Sequence, residues 1–127
     1  MILVDSDVLI AHLRGQPEAT AWLETARTAT GRLAVSVVSL VEVGGGMRPR
    51  EQRVVLRLLS SMDPFSVSEH IAWRAAEFMR TYRAANAGIK LGDYLIAATV
   101  DVEGLELATL NVRHFPMFPD LRAPFKV

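Results

Sequence analysis

The arrangement of short apolar runs most restricts what this chain can fold into. Ile2-Leu3-Val4, Leu33 to Val38 and Leu107 to Thr109 are brief aliphatic runs, set among stretches whose apolar residues recur at helical spacing. Runs of that length read as buried strands, and the longer stretches as helices. Strands that alternate with helices pair in parallel, because a helix supplies the crossover between them. The expected fold class is therefore α/β, with a central, mostly parallel β-sheet flanked by helices.

The individual elements follow from local signals. The first strand ends at Asp5, and a brief helix with Val8, Leu9 and Leu13 inward ends near Gly15. Pro17 opens a second helix that reaches about Ala29, with Trp22 and Ala26 on one face. Gly31 breaks it, and a strand over 33–38 leads to a helix begun by Ser39 that fades at Gly44-Gly45-Gly46. Pro49 starts the next helix, and a short strand is expected around Phe65 to Val67. Ser68 caps a long amphipathic helix in which Ile71, Ala75, Phe78, Met79 and Tyr82 share a face. Leu91 to about Val102 is apolar nearly all round and stops at Gly104. After the strand at 107–109 come a turn or short helix from Asn111 to Phe115 and an edge strand near Phe125. No repeat, low-complexity segment or linker interrupts the series, so residues 1–127 are read as one domain.

Composition removes several chemistries. The chain has no cysteine, which excludes disulfides, thiol nucleophiles and cysteine-ligated zinc. His12, His70 and His114 are scattered without zinc-site spacing. Lys plus Arg equals Asp plus Glu at 14 each, so any attraction to a polyanion must come from local basic patches. The first residues lack the basic-then-apolar pattern of a signal peptide, and no apolar stretch approaches the roughly 20 residues of a membrane span. A soluble, cytoplasmic protein without membrane contact is expected.

Most acidic residues sit among polar neighbours. Asp5 does not: it ends the first strand, where open α/β sheets gather ligands. Glu42 lies within Val41-Glu42-Val43 after the second strand, and Asp93 opens the most apolar helix. Asn111 follows the last clear strand. Each has a local explanation: Asp5 or Asp7 as a helix cap, Ser39 with Glu42 as a capping box, Asp93 on a helix dipole, Asn111 as a cap. Parallel topology nevertheless brings the segments after the strands to one edge. Carboxylates meeting there repel one another unless a cation stands among them. Oxygen ligands suit magnesium or manganese, which can activate water and neutralise a phosphoryl group.

Four segments carry a family resemblance. Val4-Asp5-Ser6-Asp7-Val8-Leu9-Ile10 resembles the opening of PIN-domain nucleases, and Ser39-Leu40-Val41-Glu42-Val43 their second acidic motif. Gly92-Asp93-Tyr94-Leu95-Ile96-Ala97-Ala98 resembles the third, and Thr109-Leu110-Asn111-Val112-Arg113-His114-Phe115 the closing motif. Order, spacing and chain length are those of VapC-type toxins of bacterial toxin–antitoxin pairs. The resemblance implies a magnesium-dependent endoribonuclease that cuts structured RNA such as tRNA or rRNA and is silenced by a VapB-type antitoxin. Carried over by position, Asp5, Glu42 and Asp93 are the acidic metal ligands. Asp5 and Asp93 make direct contacts, and Glu42 either binds the metal or orients the attacking water. Where the family often has a fourth Asp this chain has Asn111, which puts a two-metal mechanism in doubt. Asn111 is assigned to hydrogen-bonding a ligand water or a phosphate, with Thr109 supporting the site. Asp7 is read as a helix cap rather than a ligand, and His114 as a packing residue beside Phe115.

Arg14, Arg48, Arg50, Lys90 and Arg113 flank the motifs and are candidates for drawing in RNA. The long helix from Ser68, with Trp73, offers a homodimer face, and a groove near Trp22 offers a seat for an amphipathic antitoxin segment. Two rivals are weighed. A phospho-receiver domain also pairs acids after its first strand, but it needs an Asp where Glu42 stands and a Lys after a late strand, whereas Lys90 precedes a helix. A PIN fold that binds RNA or protein without catalysis is the other: Asn111 favours it, and the intact Asp5, Glu42 and Asp93 oppose it.

Overall fold

A computed structural model describes residues 1–126. Four strands, β1 (Ile2–Val4), β2 (Ala34–Ser36), β3 (Asp63–Phe65) and β4 (Glu106–Ala108), form a parallel sheet in the order β3-β2-β1-β4. Leu3 registers with Ala34 on one side and with Leu107 on the other, so β1 lies inside the sheet. The helices are α1 (Ser6–Leu13), α2 (Pro17–Thr30), α3 (Val37–Gly46), α4 (Gln52–Ser60), α5 (Glu69–Tyr82) and α6 (Leu91–Glu103). Single 3-10 turns occupy Pro49–Glu51 and Val112–His114.

The period-two alternation of strand side chains divides the core in two. Leu3 and Ala34 point to one face, where they meet Ile71, Ala75 and Phe78 of α5 and Tyr94, Ile96 and Ala97 of α6. Val4 and Val35 point to the other, against Val8 and Leu9 of α1, Leu23 and Ala26 of α2, Val43 of α3 and Val55 of α4. Both faces are covered at the centre of the sheet, which is why β1 reads as a continuous apolar run and β2 is buried throughout. Trp22 is half-buried as a satellite of the second cluster, whereas Trp73 on α5 is 65% exposed.

Several boundaries differ from expectation. The second strand stops at Ser36, whose hydroxyl accepts the Val38 N–H at 3.0 Å and starts α3 three residues earlier than Ser39 would. Ser39 is instead a buried helix-interior residue whose hydroxyl has no partner among the described residues, so the Ser39–Glu42 capping box does not form. The third strand lies two residues earlier than the apolar run Phe65 to Val67 suggested, fixed by its pairing to β2. The tail adds no edge strand among the described residues: Phe125 packs instead against the cluster beneath α1 and α2. The Ser68 cap holds, its hydroxyl accepting the Ile71 N–H, and Gly104 closes α6 at φ +66°, a left-handed conformation that favours glycine.

Candidate functional site

The carboxyl ends of β1 and β4 lie side by side, and the Asp5 N–H donates to the Ala108 carbonyl at 2.9 Å. Asp5 is then the first residue past β1 and also the cap of α1, its Oδ1 accepting the Ser6 N–H at 2.8 Å. Its Oδ2 accepts from the Thr109 hydroxyl at 2.9 Å. Thr109, fully buried just past β4, is the hub of this corner. The same hydroxyl stands 3.2 Å from Asp7 Oδ2 and accepts the Asn111 N–H at 3.1 Å. One hydroxyl proton therefore serves two carboxylates.

Asp7 is not the cap expected of it. From the first turn of α1 it reaches back across the sheet edge, its Oδ2 accepting the Leu110 N–H at 3.0 Å. Its Oδ1 is buried without a hydrogen-bond partner among the described residues. Asp5 is only 5% exposed, and burial, reinforced by the charge of Asp7, pushes its carboxyl up to about 7 against the bonds from Thr109 and Ser6. Asp93 adds a smaller push in the same direction. Burial also raises Asp7, opposed by the Leu110 and Thr109 hydrogen bonds.

Asp93 stands in the first turn of α6, where Oδ2 accepts the Lys90 N–H at 3.0 Å and meets His114 Nδ1 at 3.1 Å. Asp93 thus serves its own helix end by a capping hydrogen bond, beyond the helix-dipole role expected of it, and does so with one oxygen. Glu42, on α3, is exposed, with Oε1 accepting from the Ser6 hydroxyl at 3.3 Å. Its Oε2 lies 3.9 Å from where a Cβ on Gly92 would sit, so it faces the residue before Asp93. Asn111 is exposed, and its side chain does not cap the 3-10 turn that follows.

Asp5, Asp93, Glu42, Thr109 and Asn111 therefore gather along one edge from four separated segments, joined by Ser6, Asp7 and His114. Among the described residues none of Asp5, Asp7 or Glu42 forms a salt bridge with Lys or Arg. All of the acidic donors are oxygens, and the mutual repulsion at Asp5 is what a divalent cation would relieve, so the residues fit magnesium or manganese. No three described carboxylate or imidazole groups close round a common point. An ion would therefore take few protein ligands and keep its waters, which is the habit of magnesium.

The contacts of His114 and Asp7 are not legible in the sequence. The spacing Asp5-x-Asp7 was visible, but only the return of Thr109 beside it shows which way Asp7 points. His114 gave no signal apart from its place in the closing motif, because the 3-10 turn that aims its ring at Asp93 has no strong sequence signature.

Fold and site together define an α/β domain that presents acidic side chains at the carboxyl edge of a doubly covered parallel sheet. The sequence profile of the PIN domain matches residues 2–118. Ribonuclease VapC10 of Mycobacterium tuberculosis is 60% identical over 127 residues, covering 100% of this chain and 95% of that protein. Ribonuclease VapC19 of the same organism is 38% identical over 125 residues, covering 98% of this chain and 100% of that protein. A toxin–antitoxin complex from Klebsiella pneumoniae superposes with a TM-score of 0.80 at 29% identity, covering 100% of both chains. The chain belongs to the PIN-domain family, among the relatives of VapC ribonucleases.

Proposed function

We propose that this chain is a magnesium-dependent endoribonuclease, the toxin of a toxin–antitoxin pair, which cleaves structured RNA such as tRNA or rRNA and is silenced by a cognate VapB-type antitoxin. The observation that carries the reading is the buried Asp5 carboxyl, raised to about 7 beside Asp7 and Asp93, with no Lys or Arg among the described residues paired to any of the three. Acids crowded without a cationic partner are costly to ionise, and a cation bound among them relieves that cost. The full-length likeness to proteins named ribonucleases supports the RNA-cleaving chemistry.

Asp5 and Asp93 would hold the ion, with Glu42 as the third acid. Magnesium, or manganese in its place, would supply water activation and charge neutralisation at the scissile phosphate. The protein's part is orientation. Thr109 and the Ser6 N–H fix the two oxygens of Asp5, and the Ser6 hydroxyl tethers Glu42 beside them. Glu42 is thereby placed to bind the ion or to orient the attacking water. Asn111 presents a neutral amide at the rim, suited to a phosphate or a ligand water, and adds no charge for a second cation.

Attraction for RNA comes from the flanks. Arg14 and Arg48 line a cavity of ~450 Å³ that Glu42 also borders, and Lys90 and Arg113 are exposed beside Asp93 and His114. These cations offset the acidic pocket for an incoming phosphate chain. The exposed Trp73 on α5 supplies apolar surface for a homodimer. No described helix is long and apolar enough to cross a membrane, and the proposal places the enzyme in the cytoplasm with its RNA.

The test is incubation of purified protein with total RNA, with and without EDTA, followed by mapping of new 5′ ends. Cuts at a structured locus that vanish with chelator and with Asp5→Asn are expected. RNA binding without any cleavage in magnesium would replace the nuclease with a binding module.

A further inference from the structure

Resting on the metal-site reading above, we infer that His114 is a positioning residue that holds Asp93 with one carboxylate oxygen turned to the ion. Two donors converge on Asp93 Oδ2: the Lys90 backbone N–H at 3.0 Å and His114 Nδ1 at 3.1 Å. An ionised carboxylate only accepts, so Nδ1 carries the proton in this contact. Both bonds fall on the same oxygen, which leaves Oδ1 free of these two donors. The carboxylate is held by one edge, and its rotation about the Cβ–Cγ bond is restrained.

The ring itself is fixed. His114 ends the 3-10 turn Val112–His114, in which its N–H donates to the Asn111 carbonyl at 2.9 Å. The next residue, Phe115, is 1% exposed and anchors that turn in the core. On its other side the ring lies over Gly88, where an added Cβ would stand 3.8 Å from Nε2. The Asp93 and His114 side chains are 18% and 25% exposed, so the pair is shielded enough for its geometry to persist. A partner that orients a ligating carboxylate governs metal affinity as well as rate.

The measurement is Mn²⁺ binding to RNA-free protein, read by the loss of the free-ion electron paramagnetic resonance signal, with thermal unfolding followed in parallel. His114→Leu keeps bulk but removes the donor, and should raise the Mn²⁺ Kd roughly 10–100-fold. His114→Asn places an amide N–H close to where Nδ1 stood but cannot titrate, and should recover most of the affinity and cleavage. His114→Ala replaces the leucine variant if that protein does not fold. Asp93→Asn is the reference for the site. If Asp93→Asn loses Mn²⁺ but the His114 variants bind like the parent, the positioning role is wrong and the metal site stands. Failure of asparagine to rescue also overturns it. If the parent and Asp93→Asn bind Mn²⁺ alike, or not at all, the metal-site reading itself fails and takes this inference with it.

Discussion

Because Asp5 is buried and its carboxyl titrates at about 7 in the fold against 3.8 for the free group, the folded chain binds its proton more tightly than the unfolded one. Below about pH 4 both states are protonated and the fold bears no penalty. Between there and pH 7 the unfolded chain ionises first, so stability falls as pH rises, by something on the order of 4 kcal/mol in the absence of metal. Asp7, raised for the same reason, adds to the fall. In EDTA the melting temperature should therefore drop from pH 5 to pH 8, and Asp5→Asn should flatten most of that slope while abolishing cleavage. Equal slopes in the two proteins would mean that Asp5 is not strained. Thr109 makes a second prediction, since its hydroxyl donates toward two acids and accepts from Asn111 N–H. Thr109→Val takes the Thr109 partner from Asp5 Oδ2 and from the Asn111 N–H at nearly unchanged volume, while Asp7 Oδ2 keeps the Leu110 N–H, for a loss of roughly 1–3 kcal/mol. Urea unfolding should show that loss, and Thr109→Ser should restore most of it. At this scale Asp5, Glu42, Asp93, Thr109 and Asn111 were legible because strand ends and motif spacing mark them. Asp7 and His114 were not, because a side chain's direction after a tight turn depends on segments about a hundred and about twenty residues away along the chain.

Helix α3 shows how a one-turn error arises and how it can be checked. Ser36 and Ser39 both precede apolar residues at helical spacing, and either could begin the helix on local grounds. Parallel pairing decides between them: β2 pairs with β3 from Ala34↔Asp63 to Ser36↔Phe65 and no further, and the Ser36 side chain caps α3. The two serines should respond differently to alanine. Ser36→Ala removes a cap and should cost about 1 kcal/mol, with a loss of activity if the start of the helix that carries Glu42 shifts. Ser39→Ala removes a buried hydroxyl that has no partner among the described residues, and should be neutral or stabilising. Denaturant midpoints of the two variants settle the order, and a larger loss at Ser39 would restore it as the cap. The longer elements were readable because many residues vote on each, as in α5 with Ile71, Ala75 and Phe78 buried in step. Three-residue strands have no such redundancy, which is why local signals alone misplace the ends of β2 and β3 and suggest a strand at Phe125. An aromatic at a chain end carries the same local signal whether it pairs along a sheet edge or plugs a gap between helices.

On the scale of the whole molecule, the balance of 14 basic and 14 acidic residues makes RNA binding a question of placement rather than of total charge. The acids cluster at the strand ends, where they repel phosphate, so affinity must come from cations on the rim of that pocket. Arg14 and Arg48 line the cavity beside Glu42 from the residue that ends α1 and from the loop ahead of the Pro49–Glu51 turn, while Lys90 stands at the start of α6 near Asp93. Three cations in three places around one acidic edge can each neutralise a phosphate of a chain that passes over the site. Each such contact releases counterions, and for single-stranded segments it steepens the fall of log K with log salt by about 0.7. Binding of a cleavable structured RNA to the inactive Asp5→Asn protein should thus weaken steeply with salt. Arg14→Ala, Arg48→Ala and Lys90→Ala should each make that slope shallower by roughly 0.7, and the effects should add if the three contacts are separate. Removal of Arg32, which precedes β2 and pairs with Asp63 at the opposite, amino edge of the sheet, should leave the slope unchanged. If Arg32→Ala flattens the curve as much as Arg14→Ala does, RNA approaches by another face, and the strand-end site is not where the substrate is held.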